Sequence, residues 1–184
     1  ESYSKLYVEL QEKARVAEEN REKALVEIER RMIAWRNLIR DLLSSVSLQY
    51  QKTLSQAAGT GYVRLINDHD IEAAGIEIYV GFRGSKPIPL NIYSQSGGER
   101  STAVMAFLLA LQRHIQSPFR AIDEYDVHMD PRNREVIANL LISTVEGTIQ
   151  YLAITPNRMY FEGKDVHMIT VQNIEGASTI MEVK

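Results

Sequence analysis

No cysteine occurs among the 184 residues, which excludes disulfides and Cys-based zinc sites and is compatible with a reducing interior. No apolar run approaches the roughly 20 residues that a membrane-spanning helix needs. The first residues, Glu1-Ser2-Tyr3-Ser4-Lys5, do not make a signal peptide. Neither sign of charge predominates: 21 Lys and Arg stand against 24 Asp and Glu, a net charge of −3. That balance argues against a strongly basic nucleic-acid-binding domain and leaves room for a local basic patch. No Gly-x-x-x-x-Gly-Lys-Ser/Thr pattern is present, which excludes a complete phosphate-cradling loop of that kind. There is no internal repeat and no low-complexity segment. With 45% hydrophobic residues, the chain can build one domain with a sizeable core.

Glycine and proline are also missing from about Ser4 to Ala58, a stretch rich in Glu, Lys, Arg, Ala and Leu. Within it Leu25, Ile28, Met32, Trp35, Ile39, Leu42 and Val46 follow one another at alternating spacings of three and four, a heptad seam. Leu6, Leu10, Ala17 and Ala24 continue the stripe more weakly. Glu9–Lys13, Glu19–Lys23 and Glu27–Arg31 are favourable pairs four apart, each contributing only a few tenths of a kcal/mol. The pattern predicts one long helix over 1–58, a coiled-coil strand whose partner is another segment or another copy. An amphipathic helix packed on its own domain is the alternative. Gly59, in Ala58-Gly59-Thr60-Gly61, is expected to provide the left-handed cap that ends it.

Short strands are expected at Tyr62–Ile66 and around Ile76, Ile78 and Val80, with a turn at Gly81–Pro87. Arg83 and Lys86 in that turn suit either a solvated tip or contact with nucleic-acid phosphates. The strand-like pattern runs to Ile92 and is followed by Ser94-Gln95-Ser96-Gly97-Gly98-Glu99-Arg100, after which Ala103, Val104, Phe107, Leu108 and Leu111 recur at helical spacing. A hydroxyl and two glycines therefore stand where a loop becomes a helix. Free N–H groups, the positive end of a helix dipole and close backbone approach suit an anion there, most naturally phosphate. A serine-capped turn is the structural alternative.

Further on, the apolar segment Phe119–Ile122 ends in Asp123 and Glu124, followed by Tyr125-Asp126-Val127-His128-Met129-Asp130-Pro131. The segment reads as a buried strand of a mostly parallel sheet. Two adjacent carboxylates at its end project differently: one suits Mg²⁺, a hard ion that prefers oxygen, and the other can deprotonate a water aimed at a phosphate. Asp130 and Pro131 suit the N-cap and first position of a helix whose buried face is Val136, Ile137, Leu140, Leu141 and Val145, stopped by Gly147. Strands are expected at Tyr151–Ile154, Val166–Val171 and Thr179–Val183, the last two joined by a Glu175-Gly176 turn. Alternation of strands and helices points to an α/β architecture. His69, His114, His128 and His167 are scattered and make no paired ligand spacing; Asp126, His128 and Asp130 are a weak metal candidate.

Taken together these motifs resemble the signature motif, Walker B strand and D-loop of the ABC-type ATPase heads in SMC proteins, nearest in pattern to their DNA-repair branch. The resemblance runs from about Gly75 to Lys184, and the preceding helix fits it. It implies an α/β C-terminal lobe of a P-loop ATPase head with a small antiparallel sheet, residues 1–58 being the root of a returning coiled-coil arm and 59–184 the half-head. It implies ATP and Mg²⁺ as cofactors, Asp123 for the metal and Glu124 as catalytic base. Ser96, Gly97, Gly98 and Glu99 would grip ATP held by the opposing head, with Asp130 at the same interface. Gln95 departs from the leucine usual before the serine. Thr155-Pro156 stands where many ABC ATPases carry a switch histidine. The implied partners are an N-terminal half-head carrying Walker A, a second head joined through ATP, DNA, and a kleisin-type or nuclease subunit, in an intracellular, chromosome-associated setting. A non-catalytic coiled-coil domain that keeps the ABC shape is the alternative of a different class.

Overall fold

The computed structural model describes residues 2–143, 145, 149–157, 166–174 and 176–183. The expected Gly147 stop lies outside them. The first helix, α1, is continuous over Ser2–Gln56, 55 residues, or about 80 Å at 1.5 Å per residue. Nothing in its sequence interrupts the backbone ladder, and side-chain pairs run along its solvated surface. Lys13 Nζ meets Glu9 at 2.7 Å and Arg31 Nε meets Glu27 at 2.8 Å, whereas Glu19 pairs with Arg15 rather than with Lys23.

The heptad seam is only partly covered. Leu25 and Ile28 are exposed, Met32, Trp35 and Ile39 are half-buried, and burial is complete only near the C-terminal end, along Leu43, Val46, Tyr50 and Leu54. Leu42, a seam position, is exposed, and its neighbour Leu43 faces the core instead. The chain then turns through Ala58, which adopts φ +54°; Gly59 already belongs to the following strand. The left-handed cap is thus an alanine, and Gly59 is needed for space, since a Cβ there would lie 2.9 Å from Phe82 Cε1.

Strands β1 (Gly59–Ile66), β2 (Gly75–Phe82) and β3 (Ile88–Pro89) form an antiparallel sheet in that order, with Val63 opposite Ile78. Gly61 lets β1 approach closely: a Cβ would stand 2.2 Å from the Tyr79 carbonyl oxygen. The tip between β1 and β2 is fastened to α1 by Arg36 Nε, which donates to Asp68 O at 2.8 Å, and by an Arg40–Asp68 ion pair. Arg83 (φ +54°) and Gly84 (φ +82°) turn the chain into β3.

Helix α2 (Gly97–Gln112) is the central element. Ala103, Ala106 and Ala110 pack with Val46, Tyr50, Leu54, Val63, Val80 and Phe82 in one core. Met105 and Leu109 pack with Tyr125, Met129, Ile137, Leu140 and Leu141 in a second. Val104 and Leu108, expected on the apolar face, remain 39% and 38% exposed because α2 buries two faces of small and flexible residues between those cores.

Strand β4 (Phe119–Asp123), helix α3 (Pro131–Ser143) and strand β5 (Gln150–Ile154) make a βαβ unit with β4 and β5 parallel and Asp123 opposite Ile154. β4 is not the buried strand that its composition predicts: only Arg120 and Ile122 are half-covered, and Phe119 is 51% exposed, because β5 is its one neighbour among the described residues. β6 (Met168–Ile174) and β7 (Ala177–Val183) form an antiparallel hairpin turning at Gly176, φ +83°. The α/β architecture stands as expected, in three small sheets among the described residues.

Candidate functional site

The glycine-rich loop and the acidic loop meet at the N-terminal end of α2. Ser96 is the N-cap, and its hydroxyl oxygen accepts from Glu99 N at 3.3 Å while Ser96 N donates to Glu99 Oε2 at 3.0 Å. This capping box satisfies two otherwise unpaired donors reciprocally. It assigns the Glu99 carboxylate a structural task and leaves the Ser96 hydroxyl proton able to donate outward. Gln95 is 8% exposed; its Oε1 accepts from Asn91 N at 3.0 Å and its Nε2 donates to Pro89 O at 3.4 Å. Arg100 Nη1 donates to Gln95 O at 2.8 Å and to Ile92 O at 3.2 Å. The polar residue in place of leucine therefore anchors the loop to the end of β3.

The two glycines serve different ends. A Cβ built at Gly97 meets nothing within 4 Å, so this backbone faces open space. A Cβ at Gly98 would lie 3.2 Å from the His128 carbonyl oxygen, 3.8 Å from Asp130 N and 3.9 Å from Asp130 Oδ2. Gly98 is thus the contact between the start of α2 and the turn before α3. Asp130 caps α3 as its sequence predicts: Oδ1 accepts from Asn133 N at 3.1 Å, Oδ2 accepts from Asn133 Nδ2 at 2.7 Å, and Arg134 N donates to Asp130 O at 3.0 Å.

Asp123 and Glu124 are exposed at the end of β4. Glu124 has φ +48°, a left-handed backbone unusual for a residue with a Cβ, and its N–H donates to Ile154 O at 3.0 Å. The reversal comes where β4 ends, directly after Asp123. Asp126 does not join Asp123 and Glu124 at the surface. It is fully buried and faces Thr155, Asn157 and Arg134. The candidate metal trio of Asp126, His128 and Asp130 therefore does not form, and no group of three such ligands that could hold a metal occurs among the described residues. A Mg²⁺ bound mostly by phosphate and water needs only one or two carboxylates, and Asp123, exposed at a strand end, fits that lesser demand.

Tyr125, beside this loop, has its hydroxyl pKa pushed up to about 12, first by burial and then by the Asp126 charge, with Arg134 opposing. The Asp126 cluster was not evident from sequence because its partners lie on α3 and beyond β5. The one available signal was a carboxylate set between two apolar anchors, Tyr125 and Met129, both of which are buried.

The sequence profile of the RecF/RecN/SMC N terminal domain matches residues 6–179. Structural maintenance of chromosomes protein 5 of Caenorhabditis elegans is 35% identical over 136 residues, 68% of this chain and 13% of that protein. Structural maintenance of chromosomes protein 6 of Homo sapiens is 33% identical over 134 residues, 72% of this chain and 12% of that protein. The chain spans about an eighth of the length of these relatives. In fold it is similar to the Smc head domain with a coiled coil and joint from Pyrococcus yayanosii, with TM-score 0.76, 24% identity, and 98% of this chain and 35% of that one covered. It is also similar to the Pyrococcus furiosus Smc head bound to the C-terminal domain of ScpA, with TM-score 0.73, 24% identity, and 98% and 45% covered. The chain belongs to the RecF/RecN/SMC N terminal domain family, and its fold is that of part of an SMC head domain with a coiled coil.

Proposed function

We propose that this chain is the C-terminal half of an SMC-like ATPase head, with residues 1–58 the root of the coiled-coil arm and 59–184 the half-head. It would supply the signature motif, Walker B and D-loop for ATP-dependent chromosome organisation or DNA repair. The contact between Gly98 and the His128–Asp130 turn carries the reading: it joins the anion-suited start of α2 to the acidic loop and leaves Gly97 open toward a ligand. An N-terminal segment carrying Walker A completes the nucleotide site of this head, and the exposed parallel strands β4 and β5 offer the apolar surface on which it would pack.

In the assembled head, Glu124, set on a left-handed backbone at the end of β4, takes the proton of a water aimed at the terminal phosphate. Mg²⁺ held through Asp123 would offset phosphate charge. Ser96, through its free proton, and the N–H groups at Gly97 and Gly98 face the nucleotide of an opposing head, and Asp130 lies beside them. ATP then joins two heads and hydrolysis releases them. The Pyrococcus furiosus head is bound to a ScpA domain, which supports a kleisin-type partner here; DNA is the substrate such a machine would hold.

The test is ATP turnover by this chain co-expressed with a Walker A-bearing half, wild type beside Glu124→Gln. A general base contributes roughly 10²–10⁴-fold. Loss of that size, with ATP now trapping a head dimer, is expected. Equal rates would remove Glu124 from the role.

A further inference from the structure

Asp126 is the only charged side chain that is fully buried among the described residues. A carboxylate taken out of water must be met by donors. Thr155 Oγ1 lies 2.9 and 2.8 Å from its two oxygens, and Asn157 Nδ2 donates to Oδ2 at 3.0 Å. Arg134 Nε stands 3.3 Å from Oδ2 as an ion pair without hydrogen-bond alignment. The Thr155 hydroxyl also accepts from Asn157 N at 3.0 Å, which directs its single proton at Asp126. Arg134 Nη2 donates to Met129 O at 3.3 Å, tying the same turn to α3.

The turn held this way begins at Glu124. Its N–H is bonded to Ile154 O, and the carboxylate two residues on is bonded to Thr155, so consecutive residues at the exit of β5 grip backbone and side chain of one loop. A left-handed residue with a Cβ persists only where its surroundings over-determine it. These bonds supply that constraint at Glu124.

We propose that Asp126 is a positioning residue: with Thr155 and Asn157 it fixes the left-handed backbone of Glu124 and so the direction of its carboxylate. Thr155, where a switch histidine stands in many ABC ATPases, then influences hydrolysis through Asp126 without touching the nucleotide. This rests on the reading of Glu124 as the base.

The experiment uses the head assembled with its Walker A half and compares kcat and KM for ATP in Thr155→Val, Thr155→Ser, Asp126→Asn, Glu124→Gln and the double variant Glu124→Gln/Thr155→Val. Misplacing a reacting group by about 1 Å costs on the order of 10²-fold. Thr155→Val and Asp126→Asn should lose kcat on that order with KM little changed, and Thr155→Ser, which keeps the hydroxyl, should retain wild-type turnover. The double variant should be no slower than Glu124→Gln, because residues acting as a unit are not additive. Wild-type rates in Thr155→Val beside an inactive Glu124→Gln overturn the positioning role and leave the base assignment standing, as do losses that add in the double variant. Wild-type turnover in Glu124→Gln removes the base assignment and this proposal with it. Should Asp126→Asn fail to fold, the Thr155 pair decides alone.

Discussion

On one side of α2, Val46, Tyr50, Leu54 and Val80 are withdrawn completely from solvent; on the other, Phe119, Leu152 and Ile154 of the parallel pair keep 51%, 48% and 50% of their surface in it. The first region closes on itself. The end of α1, an antiparallel sheet and the alanine face of α2 fill one core, and antiparallel sheets tolerate a solvated face. The second is a βαβ unit with two parallel strands, and parallel sheets are stable chiefly when covered on both faces. The difference teaches that folding and function divide differently along the chain. The first region stands by its own packing, whereas the lobe carrying Asp123 and Glu124 leaves apolar strand surface exposed.

The comparison breaks most readily in the core of the first region. Leu54→Ala should cost about 2–5 kcal/mol in a denaturant titration. Leu152→Ala in the chain alone should cost about 0.5 kcal/mol, as an exposed substitution does, and more once the Walker A half is bound. A smaller effect separates the two glycines. Gly98→Ala presses on backbone of the neighbouring turn and should destabilise by roughly 1–3 kcal/mol. Gly97→Ala meets open space, so the thermal midpoint should hold while ATP-driven dimerisation weakens about tenfold or more, because the added methyl holds the phosphate off the backbone N–H groups.

The smallest expected effect is alkaline. Tyr125 stays protonated in the fold up to about 12, whereas an unfolded tyrosine ionises near 10. Stability from this group is therefore complete below pH 10 and lost as pH rises from there through about 12, the unfolded state binding fewer protons across that window. Tyr125→Phe should flatten this decline in urea midpoints measured from pH 9 to 12.

Much of this was legible in the sequence. The absence of Gly and Pro foretold α1, alternation foretold β2, the Glu175-Gly176 turn foretold the last hairpin, and Asp130-Pro131 marked the start of α3. The misreadings share a cause: each depended on a neighbour distant in sequence. Phe119–Ile122 reads as a buried strand because its residues are apolar, but burial is a property of the strands beside it. Gly59 reads as a cap, but it is there because Phe82 comes close from β2. Of the acidic loop, Asp130 was legible as a helix cap, whereas Asp126 reads from sequence only as a weak metal ligand because Thr155 and Asn157 reach it only in the fold.

The most direct measurement of the central claim is hydrogen–deuterium exchange of this chain alone and with its Walker A half. The account predicts that β1 and β2 amides are protected in both states, whereas β4 and β5 amides exchange readily alone and become protected on assembly. Equal protection of β4 and β5 in the two states would contradict it, showing a lobe already complete without its partner.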